Sequence, residues 1–402
     1  MHDTAASSAF DARRLAALDR HIAAKYLDTG LLPHAQLLIA RDGEIAHFSH
    51  QGRARDDGNP AIDERSLFRI ASMTKPVTSV AFMMLLEEAK VALDTPVHHV
   101  LPELKGIGVY AGGGGGVPFQ TTPTTQPMRM VDLLRHTAGF TYSFQNRSNI
   151  DAAYREGRIE SWHGNHDLQG FVAALAKIPL EFGPGEGWNY SVATDVLGAV
   201  VERVSGQPLG EFFRARIFAP LGMEDTFFHV PADKIDRLVD CWTLDPAGKR
   251  ILYDRGAASA WSREPKLVSG GGGLVSTSLD YHRFCTALLN GGAGLLGRKT
   301  VELMVQNHLP GGTDLAWISR SMFSETTNAG TGFGLGFAVN IDPVRSMLPG
   351  SVGEYYWGGI FSTAFFIDPV ERVHMVFMTQ LSPSSAYPIR REIKTMIYAA
   401  LN

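Results

Sequence analysis

A serine and a lysine three residues apart are the first sign of chemistry in this chain. Ser72 and Lys75 lie in the segment 68–76, directly ahead of the apolar run 77–86. On a helix, residues three apart share a face, so the Lys75 amine can reach the Ser72 hydroxyl. A hydroxyl beside an amine is the arrangement of a nucleophile with its base. The spacing therefore predicts nucleophilic catalysis at Ser72.

Pro76 indicates where the helix carrying this pair begins. Proline is tolerated in the first helical turn because the backbone N–H groups there have no intrahelical partner. Those N–H groups, together with the positive end of the helix dipole, favour an oxyanion beside Ser72. Lysine is a base only in its neutral form, and burial beside apolar residues favours that form. The apolar residues that follow Pro76 provide such surroundings.

Ser-x-x-Lys by itself also has a purely structural interpretation, because a serine often caps a helix that carries a surface lysine. Other segments of the chain decide between the two interpretations. They are, in chain order, 133–139 (Leu-Leu-Arg-His-Thr-Ala-Gly), Tyr190-Ser191-Val192, 271–277 (Gly-Gly-Gly-Leu-Val-Ser-Thr) and Trp357-Gly358-Gly359.

With these segments in this order, the sequence resembles the serine β-lactamase and penicillin-binding protein superfamily. It is more closely similar to the class C-like esterase branch, the family VIII carboxylesterases. Ser72-Met73-Thr74-Lys75 matches the nucleophile motif, and the resemblance covers nearly all of the chain. It implies a β-lactamase/D,D-peptidase-like fold and a serine acyl-enzyme, without a metal or organic cofactor.

The resemblance also implies roles for individual residues. Tyr190 is the phenol that, with Lys75, takes the serine proton and later passes it to the leaving group. Because a phenol ionises near pH 10, a neighbouring cation such as Lys75 is needed for this work near neutrality. The backbone N–H groups of Ser72 and Ile360 form the oxyanion hole.

The resemblance also implies substrate contacts at Trp357-Gly358-Gly359, which falls where a β-lactamase would have Lys-Thr-Gly. Trp357, Gly358 and Gly359 are expected to line the substrate site, where the glycines let the backbone approach the substrate. Tyr142 either lines the acyl pocket or packs in the core, and the sequence favours neither. His136 is expected to be a hydrogen-bonded core residue and 276–277 a helix cap, so neither is assigned to catalysis.

Two positions depart from the β-lactamase pattern. Trp357 replaces the lysine that would hold a substrate carboxylate, and Val192 replaces the asparagine that would hold an amide carbonyl. An indole offers one N–H donor and no charge, and valine offers no hydrogen bond. Loss of these contacts lowers discrimination in favour of anionic amides. We therefore expect hydrolysis of esters with short-chain or otherwise uncharged acyl groups.

Two rival functions stay open at this point. One is an amidase of the same superfamily, either a β-lactamase or a peptidase acting on D-residues or amide oligomers. The other is a catalytically silent acyl-binding or penicillin-sensing module, because a fold does not by itself imply turnover.

Other catalytic designs lack their motifs. The chain has no Gly-x-Ser-x-Gly, which an α/β-hydrolase would use as its nucleophile elbow. His163 and His166 have a spacing compatible with a shared metal, but no glutamate or third ligand accompanies them. Gly112–Gly116 is not followed by Gly-Lys-Ser/Thr, so it does not form a phosphate-binding loop. We interpret 112–127 as a long surface loop or flap.

The elements that must position these residues form an α+β pattern. Apolar runs at 35–40 and 45–48 flank Asp42-Gly43, and runs at 363–367 and 373–379 flank Asp368-Pro369, so a hairpin is predicted near each end. Helical spacing of apolar residues occurs at 78–90, 167–176, 191–204, 209–217 and 388–400. We predict an antiparallel sheet built from both termini and flanked by helices.

This pattern also suggests a division into two domains with approximate boundaries. The α/β sheet domain would comprise 1–80, 180–255 and 300–402. A mainly helical domain would comprise 81–179 and 256–299.

Composition limits the partners. The 402 residues include 37 Lys and Arg against 41 Asp and Glu, a formal charge of −4, so nucleic acid and anionic membranes are not expected partners. The longest apolar run, 80–86, is too short to cross a bilayer. Residues 1–14 lack an export pattern, which predicts a cytoplasmic protein with Cys241 and Cys285 reduced. The expected partner is a small ester, and the sequence leaves the oligomeric state open.

Overall fold

The structure is a computed structural model that describes residues 9–56, 60–161, 164, 166–320 and 328–402. The strands are β1 (His34–Arg41), β2 (Glu44–Gly52), β3 (Phe68–Arg69), β4 (Val109–Gly114), β5 (Val117–Thr122), β6 (Cys241–Leu244), β7 (Arg250–Asp254), β8 (Val275–Ser276), β9 (Thr331–Phe333), β10 (Ala338–Asn340), β11 (Tyr355–Gly358), β12 (Ala364–Asp368), β13 (Val373–Met378) and β14 (Leu381–Ser382). The α-helices are α1 (Ala12–Ile22), α2 (Thr74–Glu87), α3 (Met130–Leu134), α4 (Asn149–Gly157), α5 (Leu168–Leu175), α6 (Ala193–Ser205), α7 (Leu209–Phe213), α8 (Ala219–Leu221), α9 (Ser278–Leu289), α10 (Arg298–Met304), α11 (Leu315–Ile318), α12 (Pro343–Ser346) and α13 (Ile389–Ala400).

A seven-stranded antiparallel sheet joins the two ends of the chain. Its strand order is β2-β1-β13-β12-β11-β10-β9. The β1–β2 hairpin turns at Asp42 and Gly43, whose φ angles of 53° and 86° are those of a tight hairpin turn. At the β12–β13 turn the Asp368 carboxylate accepts from the Val370 N–H at 2.9 Å and from the Glu371 N–H at 3.1 Å. The predicted α+β fold with a sheet assembled from both termini is confirmed.

The two terminal helices cover one face of this sheet. On α13 the buried residues Ile389, Ile393 and Ile397 recur every four positions, and they share an apolar cluster with Leu18 of α1 and with β13. An amphipathic helix with such a stripe is stable only against an apolar surface. Burial of each isoleucine contributes about 2 to 3 kcal/mol.

Helix α2 lies in the core on the other side of the sheet. Its residues 74–85 are all buried, and the apolar residues of 77–85 belong to the same cluster as apolar residues of α6 and α9. A helix that is buried all round has no single apolar stripe, and its polar side chains need partners in the interior. The Thr78 hydroxyl donates to the Gly270 carbonyl at 2.6 Å, and the Thr74 hydroxyl accepts from the Leu274 N–H at 3.1 Å. The segment that carries Ser72 and Lys75 is therefore fixed in the interior.

The expectation of a loop at 112–127 is wrong for its first part. Residues 109–122 form the β4–β5 hairpin, in which Gly113 and Gly114 have φ angles of 88° and 97° and the register shifts between strands. The Tyr110 N–H donates to the Leu180 carbonyl at 2.8 Å, and the Asn149 side chain donates to the Gly113 carbonyl at 2.7 Å. Main-chain pairing and these anchors replace the side-chain packing that the glycines cannot supply.

Several further expectations can be compared with the described residues. Cys241 and Cys285 are both buried and free. Within those residues, no helix combines the length and the apolar composition that a bilayer crossing requires. In the same part of the chain, no three His, Cys, Asp or Glu side chains cluster as metal ligands would. His163, one of the two histidines considered as ligands, lies outside the described residues.

Candidate active site

Ser72 lies in a tight turn that leads directly into α2. The turn is a 3-10 helix, Ala71–Met73, and it follows strand β3, which pairs with β8. The fully buried Arg69 of β3 donates to the Val239 carbonyl at 2.7 Å, which fixes the strand ahead of the turn. Ala71 has a φ of +45°, a strained conformation for a residue with a side chain. This turn holds the Ser72 hydroxyl at the end of α2.

The Lys75 ammonium is directed back towards Ser72. Its Nζ lies 3.4 Å from Ser72 Oγ and donates to the Tyr142 hydroxyl at 2.9 Å and to the Gly271 carbonyl at 2.7 Å. Only 2% of the residue is exposed. The same nitrogen lies 4.5 Å from the centre of the Tyr190 ring. Lys75 is thus held by three oxygens and an aromatic face.

Tyr190 meets Ser72 from a distant part of the chain. The Tyr190 hydroxyl donates to Ser72 Oγ at 2.5 Å. Next to it, Asn189 Nδ2 donates to the Phe140 carbonyl at 2.9 Å, and Gln145 Nε2 donates to the Tyr190 carbonyl at 2.5 Å, so the loop before α6 is fixed. The structure brings together the hydroxyl, the amine and the phenol that the sequence predicted.

Tyr142 has a closer place in the site than the sequence predicted. Of the two alternatives for Tyr142, the pocket wall and the core, the structure shows the first, because the residue lines the cavity. Its hydroxyl is also a hydrogen-bond partner of Lys75. Burial, together with the nearby Asp195 carboxylate, raises the pKa of Tyr142 well above its usual value. The phenol therefore stays protonated, and its oxygen accepts from the ammonium.

The predicted oxyanion donors lie on two facing turns. Met73 N–H makes the first bond of the 3-10 turn, to the Ile70 carbonyl, so the Ser72 N–H precedes the intrahelical ladder. Ile360 follows β11 in a turn closed by the Ser362 N–H and the Gly359 carbonyl at 3.1 Å. A Cβ on Gly359 would lie 2.5 Å from the Ile70 carbonyl oxygen, so only glycine permits this approach.

Sequence reasoning missed the carboxylate behind Lys75. Asp195 on α6 is 2% exposed, and it accepts from the Ser269 hydroxyl at 2.5 Å and from the Gly271 N–H at 3.0 Å. The Gly271 carbonyl in turn accepts from Lys75. Burial raises the pKa of Asp195, although the charge of Lys75 opposes that rise. The glycine run at 271–273 was a visible landmark, but its contact with Asp195 needed the fold.

The residues excluded from catalysis lie where the sequence indicated. His136 is buried and its Nδ1 lies 3.2 Å from the Ser191 hydroxyl. Burial, helped by the charge of Lys75, lowers the pKa of His136 well below its usual value, so the ring is neutral. Thr277 caps α9 by accepting from the Asp280 N–H at 3.1 Å.

A cavity of about 850 Å³ opens at Ser72. The predicted residues Tyr142, Tyr190 and Trp357 line it, and so do Gly358, Gly359 and Ile360. The Tyr190 ring lies 5.5 Å from Trp357 and 5.3 Å from Tyr142, so the walls near Ser72 are largely aromatic. Such a cavity suits a small organic substrate with few polar groups.

Comparison with known proteins identifies the family to which this chain belongs. The sequence model described as Beta-lactamase matches residues 20–397. The chain belongs to the beta-lactamase family. It is 30% identical over 381 residues to esterase EstB of Burkholderia gladioli, covering 91% of this chain and 90% of EstB. It is 31% identical over 372 residues to the lovastatin esterase of Penicillium rubens, covering 85% and 87% of the two chains.

Solved structures agree with the family. The structure described as EstCE1, a hydrolase with promiscuous acyltransferase activity, has a TM-score of 0.80 and 26% sequence identity, and the match covers 96% of this chain and 99% of that one. The resemblance drawn from the motifs is therefore confirmed, as is the expected β-lactamase-like fold. This beta-lactamase-family protein is a serine hydrolase.

The two departures from the family pattern are visible in the site. Trp357 stands on β11 in the cavity wall, where the family places a lysine. Val192 is fully buried at the start of α6. A cation from another element lies against this part of the site. Arg390 of α13 lines the cavity, and its guanidinium donates to the Gly359 carbonyl at 2.5 Å and to the Thr363 carbonyl at 2.8 Å.

Proposed function

We propose that this protein is a carboxylesterase that acts through an acyl-enzyme on Ser72. The observation that carries the proposal is the meeting of the Lys75 amine and the Tyr190 hydroxyl at one oxygen, Ser72 Oγ, at 3.4 and 2.5 Å. Two proton-transfer groups on a single hydroxyl are what an activated nucleophile needs. The relatives named as esterases support the same function.

Each step assigns a role to residues of the chain. Ser72 Oγ attacks the ester carbonyl, and its proton passes to the pair formed by Lys75 and Tyr190. The N–H groups of Ser72 and Ile360 hold the oxyanion, and loss of one such donor typically costs about 3 kcal/mol of transition-state stabilisation. The alcohol leaves with the proton that the pair returns. Water activated by the same pair then releases the acid and regenerates Ser72.

Esters with uncharged acyl groups fit this cavity better than anionic amides. Trp357 provides no charge for a substrate carboxylate, and the buried Val192 provides no acceptor or donor for an amide. The Arg390 guanidinium in the same wall already donates to the Gly359 and Thr363 carbonyls. Esters also require less protonation of the leaving group than amides do. The bulk of Trp357 supports a preference for short acyl chains.

Replacement of the nucleophile tests the proposal. Ser72→Ala is expected to abolish turnover of p-nitrophenyl acetate while the circular dichroism spectrum and the melting temperature stay those of the native protein, because Ser72 is only partly buried. Turnover that persists in this variant contradicts the proposal. A fluorophosphonate followed by mass spectrometry of the labelled peptide separates an active Ser72 from that of a silent acyl-binding module.

An amidase of the same family is the second candidate, because the family is described as Beta-lactamase. Nitrocefin distinguishes the two candidates. We expect slow or undetectable opening of its lactam beside rapid hydrolysis of p-nitrophenyl acetate. Rapid nitrocefin turnover with weak ester hydrolysis would favour the amidase.

A further inference from the structure

Two carboxyl groups in the wall of the catalytic cavity have no cation of their own. Asp195 and Glu160 both line the cavity. Among the described residues, neither forms an ion pair, because Lys75 donates to Ser72, Tyr142 and Gly271 instead. Two carboxyls against one ammonium make this end of the cavity acceptor-rich.

Glu160 is the carboxyl whose hydrogen bonding is incomplete. Its Oε1 accepts from the Ser143 N–H at 2.7 Å. Its Oε2 is buried and has no hydrogen-bond partner in the described structure. Burial raises the pKa of Glu160, and the Asp195 carboxylate acts in the same direction. A buried unpaired carboxyl oxygen is costly, so its retention calls for a missing partner.

Two aromatic residues flank Ser143, whose N–H donates to this carboxyl. Phe144 follows Ser143 in sequence, and its ring stacks on Tyr142 with centroids 4.9 Å apart and planes 20° apart. Both rings line the cavity, and Phe144 is 42% exposed. The Tyr142 ring already has a cation 5.2 Å from its centre, the Lys75 ammonium. A carboxylate beside aromatic faces is the chemistry that recognises an ammonium group.

We propose that Glu160, together with the Phe144 ring, selects esters that carry an ammonium group. This inference rests on the proposed esterase function and names its substrate class. Because the proposed acyl group is uncharged, the ammonium belongs to the alcohol portion, as in a choline ester. An anionic alcohol is disfavoured here because it would meet two carboxylates, and a neutral alkyl alcohol would leave Glu160 without a partner.

A pair of isosteric substrates isolates the charge. Acetylthiocholine and S-(3,3-dimethylbutyl) thioacetate have the same shape and differ only in a quaternary nitrogen or carbon, and both release a thiol that a colorimetric reagent detects. For the native protein we expect kcat/KM to be about 30-fold higher for acetylthiocholine, the effect of a cation at a partly desolvated aromatic and acidic site.

Three variants assign the preference to residues. Glu160→Gln keeps the shape and removes the charge, and Phe144→Leu keeps apolar bulk and removes the ring at a half-exposed position that tolerates change. Both are expected to reduce the preference at least fivefold. Glu156→Gln is the matched control, because Glu156 is an exposed carboxylate on α4. This substitution changes the net charge by the same amount as Glu160→Gln. It should leave the preference as it is in the native protein.

The outcomes separate this inference from the proposed function. Binding of acetylthiocholine and its neutral isostere to Ser72→Ala, measured by calorimetry, reports selection without turnover. No preference for the cation in either measurement overturns the inference, and so does a preference that survives Glu160→Gln. A second pair of isosteres carries the quaternary nitrogen or carbon in the acyl portion: p-nitrophenyl 4-(trimethylammonio)butanoate and p-nitrophenyl 5,5-dimethylhexanoate. If a Glu160-dependent preference for the cation is seen only with this second pair, the inference that the ammonium belongs to the alcohol portion is wrong. Ester turnover that persists in Ser72→Ala refutes the esterase mechanism alone.

Discussion

The two tyrosines at the Ser72–Lys75 pair are predicted to contribute unequally to catalysis. The Tyr190 hydroxyl touches the nucleophile itself, at 2.5 Å from Ser72 Oγ. The Tyr142 hydroxyl is bonded to Lys75 at 2.9 Å, one group further from the reacting atom. Tyr190→Phe and Tyr142→Phe each remove one hydroxyl and keep the ring in its packing.

The magnitudes follow from these contacts. A group that transfers a proton in the transition state contributes about 10²- to 10⁴-fold in rate, which is the expected loss for Tyr190→Phe. A hydrogen bond to a charged group contributes about 1.5 to 3 kcal/mol, or roughly 10- to 150-fold, which bounds the loss for Tyr142→Phe. For Tyr142→Phe we expect a loss at the lower end of this range, because the Lys75 ammonium still donates to the Gly271 carbonyl at 2.7 Å.

The assay is kcat/KM for p-nitrophenyl acetate, with the rate of fluorophosphonate labelling of Ser72 as a second measurement. Tyr110→Phe is the matched control, because its hydroxyl bonds to the Gly113 carbonyl in the β4–β5 hairpin. A Tyr142→Phe variant that loses as much activity as Tyr190→Phe would falsify the assigned order. So would a Tyr190→Phe variant within tenfold of the native enzyme, provided that both variants melt at the native temperature.

Two further predictions concern the oxyanion turn and acid stability. Gly359→Ala is expected to lower kcat about 100-fold or more, because its Cβ would lie 2.5 Å from the Ile70 carbonyl oxygen and would displace the Ile360 N–H donor. Gly210→Ala is the control and should keep the native rate, since a Cβ there would make only ordinary contacts. Equal rates in the two variants would contradict the oxyanion assignment. Burial lowers the pKa of His34 to about 4 and that of His374 to about 3. Below pH 6.5 these histidines are protonated in the unfolded chain but still neutral in the folded protein, so the free energy of unfolding decreases as the pH is lowered. At pH 5 each histidine should cost about 2 kcal/mol, measured as a drop in the urea unfolding free energy between pH 7 and 5, and an unchanged free energy over that window would contradict the burial argument.

Local patterns were sufficient for much of the architecture. Asp42-Gly43 between apolar runs predicted the β1–β2 hairpin because few residues adopt the positive φ angles of its turn. The stripe of isoleucines on α13 predicted a helix against an apolar surface. Both depend on neighbours within a few residues, so no knowledge of the rest of the chain was needed.

The 112–116 segment shows where local patterns fail. Its glycines have weak strand propensity, which favoured a loop. The hairpin forms because two residues distant in sequence bond to its first strand. The Asn149 side chain donates to the Gly113 carbonyl, and the Leu180 carbonyl accepts from the Tyr110 N–H. Tertiary contacts of this kind override local propensity.

For the site, the sequence by itself determined the Ser72–Lys75 pair, because a three-residue spacing on a helix leaves little freedom in where the amine lies. The family motifs added Tyr190 as a candidate, and the fold brings its hydroxyl to Ser72. Only the tertiary structure decided that Tyr142 bonds to Lys75, that Asp195 holds the Gly271 loop, and that Glu160 lines the cavity. These side chains come from separate loops and helices, and their distances depend on how those elements pack, which no spacing along the chain records.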